Sequence, residues 1–190
     1  MTINPVKILG NWDEGYVLDK HMIRSSFLGE DVYGNPKYDN IRSELGELIY
    51  QIKYQHKYDN IDKVIDLIKP FIDSWKVLDD IDIILPVPAS KYRERQPVNE
   101  IAFEISKYLK VHYVDDVLSK ESSEQAKDMN YGEKQGIKII AKKKAKKKHK
   151  LLLIDDLYQT GATLNECVKI LREDSLLEKI YVLVMTKTKD

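Results

Sequence analysis

This 190-residue chain has a single cysteine, Cys167. A lone thiol excludes an intramolecular disulfide and any zinc site built on several cysteines. Histidine is scarce too, and His21, His56, His112 and His149 are too scattered to make a histidine-rich metal box. No apolar run approaches the roughly 20 residues of a membrane span. The opening stretch, MTINPVKILGNWDEG, lacks the basic, apolar and small-residue regions of a secretory signal. A cytoplasmic protein without a membrane partner is the expectation. Net charge is missing as well: 31 basic residues balance 31 acidic ones, so overall charge selects no partner. The balance conceals an asymmetry, because residues 141–150, AKKKAKKKHK, concentrate lysine while the first 80 residues lean acidic.

The remaining composition, 43% hydrophobic and 33% charged, is that of a globular chain with one good core. Residues 8–40 are rich in turn formers, including Gly10, Asn11, Gly15, Gly29, Gly34 and Pro36, with short apolar stretches between them. Short strands or hairpins fit that pattern. From Ser43, apolar residues recur at Leu45, Leu48, Ile49 and Ile52, and again at Ile61, Val64, Ile65, Ile68 and Ile72, both at helical spacing. Pro70 is expected to kink or end the second helix. KYDNI occurs at 37–41 and at 57–61, and both copies read as helix starts capped by Asp or Asn.

The pattern changes near Asp80. IDIILPVP (81–88) and LLLI (151–154) are continuous apolar runs typical of strands buried on both faces. VHYVDDVL (111–118), GIKII (136–140) and IYVLVM (180–185) also read as strands, with amphipathic helices following 98 and 164. Buried strands alternating with helices predict an α/β protein with a parallel, Rossmann-like sheet. Residues 1–79 are expected to form an accessory α+β region, or hood, and residues 80–190 the α/β core.

Residues 151–164 read LLLIDDLYQTGATL. In an open parallel sheet, ligands bind beyond the carboxyl ends of the strands, which is where Asp155 and Asp156 are expected. A helix opening near Thr163 offers free N–H groups and a positive dipole end to an anion. Gly161 permits close backbone approach, and Thr160 and Thr163 add hydroxyl donors. Two carboxylates beside an anion cradle suit a sugar phosphate. A Walker-B-like magnesium site or a plain turn and cap are the other readings. No G-x-x-x-x-G-K-[ST] accompanies the acids, which counts against a P-loop enzyme.

LLLIDDLYQTGATL resembles the phosphoribosyl pyrophosphate (PRPP) signature of type I phosphoribosyltransferases: an apolar strand, two acids and a T-G-x-T loop. The resemblance implies that Asp155 and Asp156 hold the ribose hydroxyls, while Gln159, Thr160, Gly161, Ala162 and Thr163 hold the 5′-phosphate. LPVPASKYRERQPVNEIA (85–102) resembles the pyrophosphate-loop region of the ComF-like (competence protein F-like) members, with Asn99 before the helix. It implies that Ala89, Ser90, Lys91, Arg93 and Arg95 meet the pyrophosphate, with Lys91 and Arg93 joining the two aspartates as candidate catalytic residues. Arg forks suit such a concentrated anion. GELIYQIKY (46–54) is similar to an upstream ComF-like segment, and KESSEQAKDMNYGEKQ (120–135) stands where the family carries a mobile loop, with Lys120, Lys127 and Lys134 as candidates to reach the pyrophosphate.

The implied function is transfer of a 5-phosphoribosyl group, with release of pyrophosphate, from Mg²⁺–PRPP to an unidentified acceptor. No direct metal ligand is assigned; Asp155 and Asp156 are the candidates to meet Mg²⁺ through ribose or water. The alternative is a non-catalytic PRPP- or nucleotide-binding module acting in nucleic-acid processes, since ComF-like proteins are linked to DNA uptake in competence. A homodimer is compatible with either. Two features depart from the family. The cysteine zinc module common in ComF-like proteins is missing, and Gln159 stands where purine-salvage members carry a base-accepting Asp. Glutamine cannot act as a general base.

The lysine run between Lys142 and Lys150 precedes the 151–154 strand and is expected at the opposite end from the phosphate edge. A solvated connector is the favoured reading; nucleic-acid binding would show as salt dependence. Tyr50, Tyr54 and Tyr58, with Lys53 and Lys57 beside them, read as a packing stripe rather than a base-stacking one. Cys167 falls on the apolar face of its helix and reads as inert core.

Overall fold

The computed structural model describes residues 2–89, 93–120 and 138–188. Its centre is a six-stranded sheet in the order β1-β2-β10-β9-β5-β6. The strands are β1 (Val6–Lys7), β2 (Glu14–Lys20), β5 (Ile83–Pro86), β6 (His112–Tyr113), β9 (His149–Tyr158) and β10 (Leu177–Lys187). All neighbouring pairs run parallel except β1 with β2. Two hairpins lie apart from it: β3 (Met22–Glu30) with β4 (Pro36–Arg42), and β7 (Leu118–Lys120) with β8 (Ile139–Ala141).

The continuous apolar runs are explained by burial on both faces. Leu152 and Ile154 pack into one core with Ile84, Leu183 and Met185, under α1 (Glu44–Gln55), α2 (Ile61–Ser74) and α3 (Pro97–Leu109). Their neighbours Leu151 and Leu153 point the other way, joining Leu85, Val182 and Val184 under α4 (Ala162–Leu171). All four residues of the Leu151–Ile154 run are 0% exposed. Successive residues of a strand face opposite sides of the sheet, so only an uninterrupted run serves two cores. The first 79 residues contribute β1 and β2 to the sheet and α1 and α2 to one of its faces. Among the described residues, no helix is long and apolar enough to cross a membrane.

Some local expectations change. α2 continues through Pro70 to Ser74. Pro70 lies on the exposed side, while Ile68 and Ile72 bury the opposite face, and that burial outweighs one lost hydrogen bond. The first KYDNI lies in β4, where Tyr38 pairs with Phe27 of β3. The second forms a 3-10 turn, Tyr58–Asn60, ahead of α2. Asn60 makes no capping bond; its side-chain amide donates instead to Gln51 Oε1 at 2.8 Å. The 111–118 stretch divides, with β6 joining the main sheet and Leu118 beginning β7.

Candidate functional site

The two helices that follow the central strands cover opposite faces. β5 leads through α3 to β6 on one side, and β9 leads through α4 to β10 on the other. The order of strands therefore reverses between β5 and β9, and such a reversal leaves a crevice outside the carboxyl ends. β9 also outruns its neighbour. β5 pairs with it only from Ile83↔Leu151 to Pro86↔Ile154, and Val87 adds a last N–H to the Ile154 carbonyl at 2.8 Å. Beyond that point β9 keeps β10 alone, through Val184↔Asp155, Thr186↔Leu157 and Lys187↔Tyr158. The sequence reads as a strand over 151–154 followed by a loop. The strand runs on to Tyr158 and carries both aspartates, because β10 continues to pair with it.

The crevice is a cleft of about 340 Å³. The β5–α3 connection contributes Ala89, Arg93 and Gln96; β9 and the start of α4 contribute Asp155, Asp156, Gln159 and Thr163; α1 contributes Lys53 and Tyr54. Sequence-designated residues from two separate stretches thus meet around one volume. Ser90 and Lys91 lie outside the described residues, as do Lys127 and Lys134. Arg95 is not part of the lining. Its guanidinium forks onto Glu100 at 3.0 and 2.9 Å and stacks over the Tyr58 ring, 4.1 Å from the centroid.

The two aspartates differ sharply in environment. Asp156 is paired with Lys53, whose Nζ lies 2.8 Å from Oδ2 and 3.1 Å from Oδ1. Both side chains are mostly buried, at 17% and 13% exposure. Asp155 accepts the backbone N–H of Asp156 at 2.8 Å. Burial and then the neighbouring Asp156 charge push its carboxyl up to about 7. Thr186, fully buried, donates its hydroxyl to the Asp156 carbonyl at 3.2 Å and lies 3.2 Å from His21 Nδ1. Burial, then the charges of Arg42 and Lys53, push the His21 imidazole down.

The loop between β9 and α4 is short. Gly161 is the N-cap residue of α4, with φ at 75°, and has no side chain to cap the helix. A Cβ at Gly161 would stand 2.8 Å from the Tyr158 hydroxyl, so both the left-handed backbone and the close approach require glycine. Thr160 Oγ1 accepts the Ala162 N–H at 3.3 Å. The first backbone N–H groups of α4 therefore stand beside the Asp155–Asp156 pair, with Thr163 in the lining.

Lys53 was not among the sequence-designated site residues. One signal was available: it follows Ile49 by four positions, at the border of α1's buried face, where a lysine needs a partner. The other flagged features lie as follows. Tyr50 and Tyr54 pack with ring centroids 5.2 Å apart, and Arg42 covers Tyr50. Cys167 is buried. The lysine run lies at the amino end of β9, away from the cleft, where Lys148 pairs with Glu178, Lys150 with Asp80 and Lys143 with Asp116.

No family model matches the chain, and no curated protein matches it in sequence. Solved structures do. Adenine phosphoribosyltransferase from Trypanosoma brucei, in complex with AMP, pyrophosphate and ribose-5-phosphate, matches 99% of this chain and 87% of its own at 14% identity, with a TM-score of 0.50. Another adenine phosphoribosyltransferase matches 87% of this chain and 85% of its own at 11% identity, TM-score 0.49. The Saccharomyces cerevisiae adenine phosphoribosyltransferase matches 85% and 84% at 16% identity, TM-score 0.44. The mainly parallel sheet, with its N-terminal hairpin and its crevice between β5 and β9, is the type I phosphoribosyltransferase fold.

Proposed function

We propose that this chain binds Mg²⁺–PRPP in the cleft and transfers its 5-phosphoribosyl group to an acceptor, releasing pyrophosphate. One observation carries the reading: β9 delivers two carboxylates directly beside the glycine-capped start of α4. In this reading Asp155 and Asp156 orient the ribose hydroxyls. Gln159, Thr160, Gly161, Ala162 and Thr163 anchor the 5′-phosphate. Ala89, Ser90, Lys91 and Arg93 meet the pyrophosphate, and Arg95 joins them only by leaving Glu100. The rate gain comes from positioning and from stabilising charge on the departing pyrophosphate.

The residues present suit magnesium carried in by the substrate. Among the described residues, no group of three or more His, Cys, Asp or Glu side chains could hold an ion alone. Mg²⁺ is commonly held by one or two carboxylates together with substrate phosphates, and Asp155 and Asp156 offer that number. When bound, the ion would offset the charge of the leaving group.

Within the fold, the ComF-like kind fits the P-V-P run followed by basic residues and the Lys53–Tyr54 segment on α1. A second reading, a PRPP- or nucleotide-binding module without catalysis that serves nucleic-acid processes, is favoured by two observations. Lys53 already occupies Asp156, and Gln159 supplies no base. Calorimetric titration of PRPP with Mg²⁺ tests both readings. Binding lost in Asp155→Asn/Asp156→Asn supports the site, and no binding by the wild type refutes it. Pyrophosphate release across a panel of nucleobases separates enzyme from binding module.

A further inference from the structure

Tyr58 stands where α1 gives way to α2, in a turn that is firmly fixed. His56 takes the left-handed conformation at φ 57° to end α1, and the Tyr58 N–H returns to the His56 carbonyl at 3.0 Å. Asn60, at the end of the same turn, is tied back to Gln51 of α1. The Tyr58 ring packs against the core shared by α1, α2 and α3. Its hydroxyl donates to the Arg95 carbonyl at 2.7 Å, while its ring face carries the Arg95 guanidinium. One side chain therefore grips one residue twice, by backbone and by side chain, across 37 positions of sequence.

The connection held in this way has few bonds of its own. Among the described residues, no backbone–backbone hydrogen bond involves Arg93, Glu94 or Arg95, and Gln96 Nε2 reaches the Arg93 carbonyl only at 3.5 Å. A backbone without a ladder takes its conformation from the side chains that satisfy it. Arg93 and Gln96 both line the cleft, and the Arg95 carbonyl stands between them in the chain. The two arginines also face differently: Arg93 is half-buried against the cleft, while Arg95 is exposed and forked onto Glu100. Holding Arg95 outward at both ends leaves Arg93 as the arginine turned to the ligand volume. The opposite wall is held from the same stretch of chain, since Lys53 binds Asp156.

We propose that Tyr58 is a positioning residue for the pyrophosphate half of the cleft: its hydroxyl bond to the Arg95 carbonyl sets the β5–α3 connection, and it acts on the ligand through Arg93. The inference rests on the PRPP reading of the cleft.

Calorimetry on the full chain with the two halves of PRPP, magnesium pyrophosphate and ribose 5-phosphate, tests it. Tyr58→Phe keeps the ring and its stack and removes only the hydroxyl. It should weaken magnesium pyrophosphate binding by roughly fivefold, the worth of one neutral hydrogen bond. Ribose 5-phosphate affinity should change by less than about twofold. In an Arg93→Ala background the same substitution should cost nothing further, because two residues acting as one unit are not additive. Equal losses for the two halves would mean that Tyr58 only supports the fold, and would overturn the proposal. So would a Tyr58→Phe chain that binds pyrophosphate as the wild type does, or a loss that persists in full without Arg93. Each of these leaves the PRPP reading standing, whereas a wild type that binds neither half overturns both.

Discussion

Lys53 of α1 closes on Asp156 of β9 at 2.8 Å, across 103 positions of sequence. The bond ties a helix on one face of the sheet to the strand that forms the cleft's floor. It also distinguishes the two acids: Asp156 is held by the Lys53 ammonium, while burial and the neighbouring Asp156 raise the Asp155 carboxyl.

Lys53→Met should therefore destabilise the protein by about 3 kcal/mol, since removing one partner strands a mostly buried charge. Adding Asp156→Asn to Lys53→Met should restore most of that loss. Urea denaturation of the two single variants and the double variant measures the coupling, and purely additive effects would show that the pair is ornamental.

Asp155 sets a pH dependence. Its folded-state carboxyl holds a proton that the unfolded chain releases near 3.8, up to about pH 7. The folded state thus binds more protons in that window, and stability should fall as pH rises from about 4 to about 7. Asp155→Asn should remove this part of the slope and become the more stable chain at pH 8. A denaturation series against pH, read as the difference between the two proteins, checks the sign.

Gly161→Ala combines a left-handed backbone with a contact to the Tyr158 hydroxyl. A cost of roughly 1–2 kcal/mol is expected from the backbone alone. On the proposed function, PRPP affinity should fall further than stability does, because the first turn of α4 would shift. Calorimetry and thermal melts on the same preparation separate the two.

The two arginines should behave differently. Arg93 lines the cleft, whereas Arg95 is held by Glu100 and Tyr58. Titration with Mg²⁺–PRPP should show the larger affinity loss for Arg93→Ala. Equal losses would mean that Arg95 leaves Glu100 when ligand binds.

Cys167 should resist thiol reagents in the folded protein. It is fully buried, and burial pushes its thiol up to about 12. Reaction with a chromogenic disulfide should follow the unfolding curve in denaturant.

The sheet was largely legible because its strands are buried on both faces. Leu151, Leu152, Leu153 and Ile154 announce themselves in any context. The meeting of Ala89, Arg93, Asp155, Asp156, Gln159 and Thr163 around one cleft follows from the rule that parallel strands end at a common edge. What stayed hidden depends on partners distant in sequence. β9 continues past Ile154 only because β10 pairs with it, and α2 absorbs Pro70 only because Ile72 still has a core to enter. The first KYDNI becomes a strand because Phe27 lies opposite Tyr38. Lys53 acquires its role only when α1 is laid beside β9.

β5 has four residues and β9 has ten. The four residues of β9 beyond Ile154 project about 13 Å past the last rung the two share, like a jetty beyond a quay. On the proposed function, room for the ligand exists because β5 stops at Pro86 while β9 runs on to Tyr158. Lengthening β5 by a single paired residue would berth backbone where a ligand should lie.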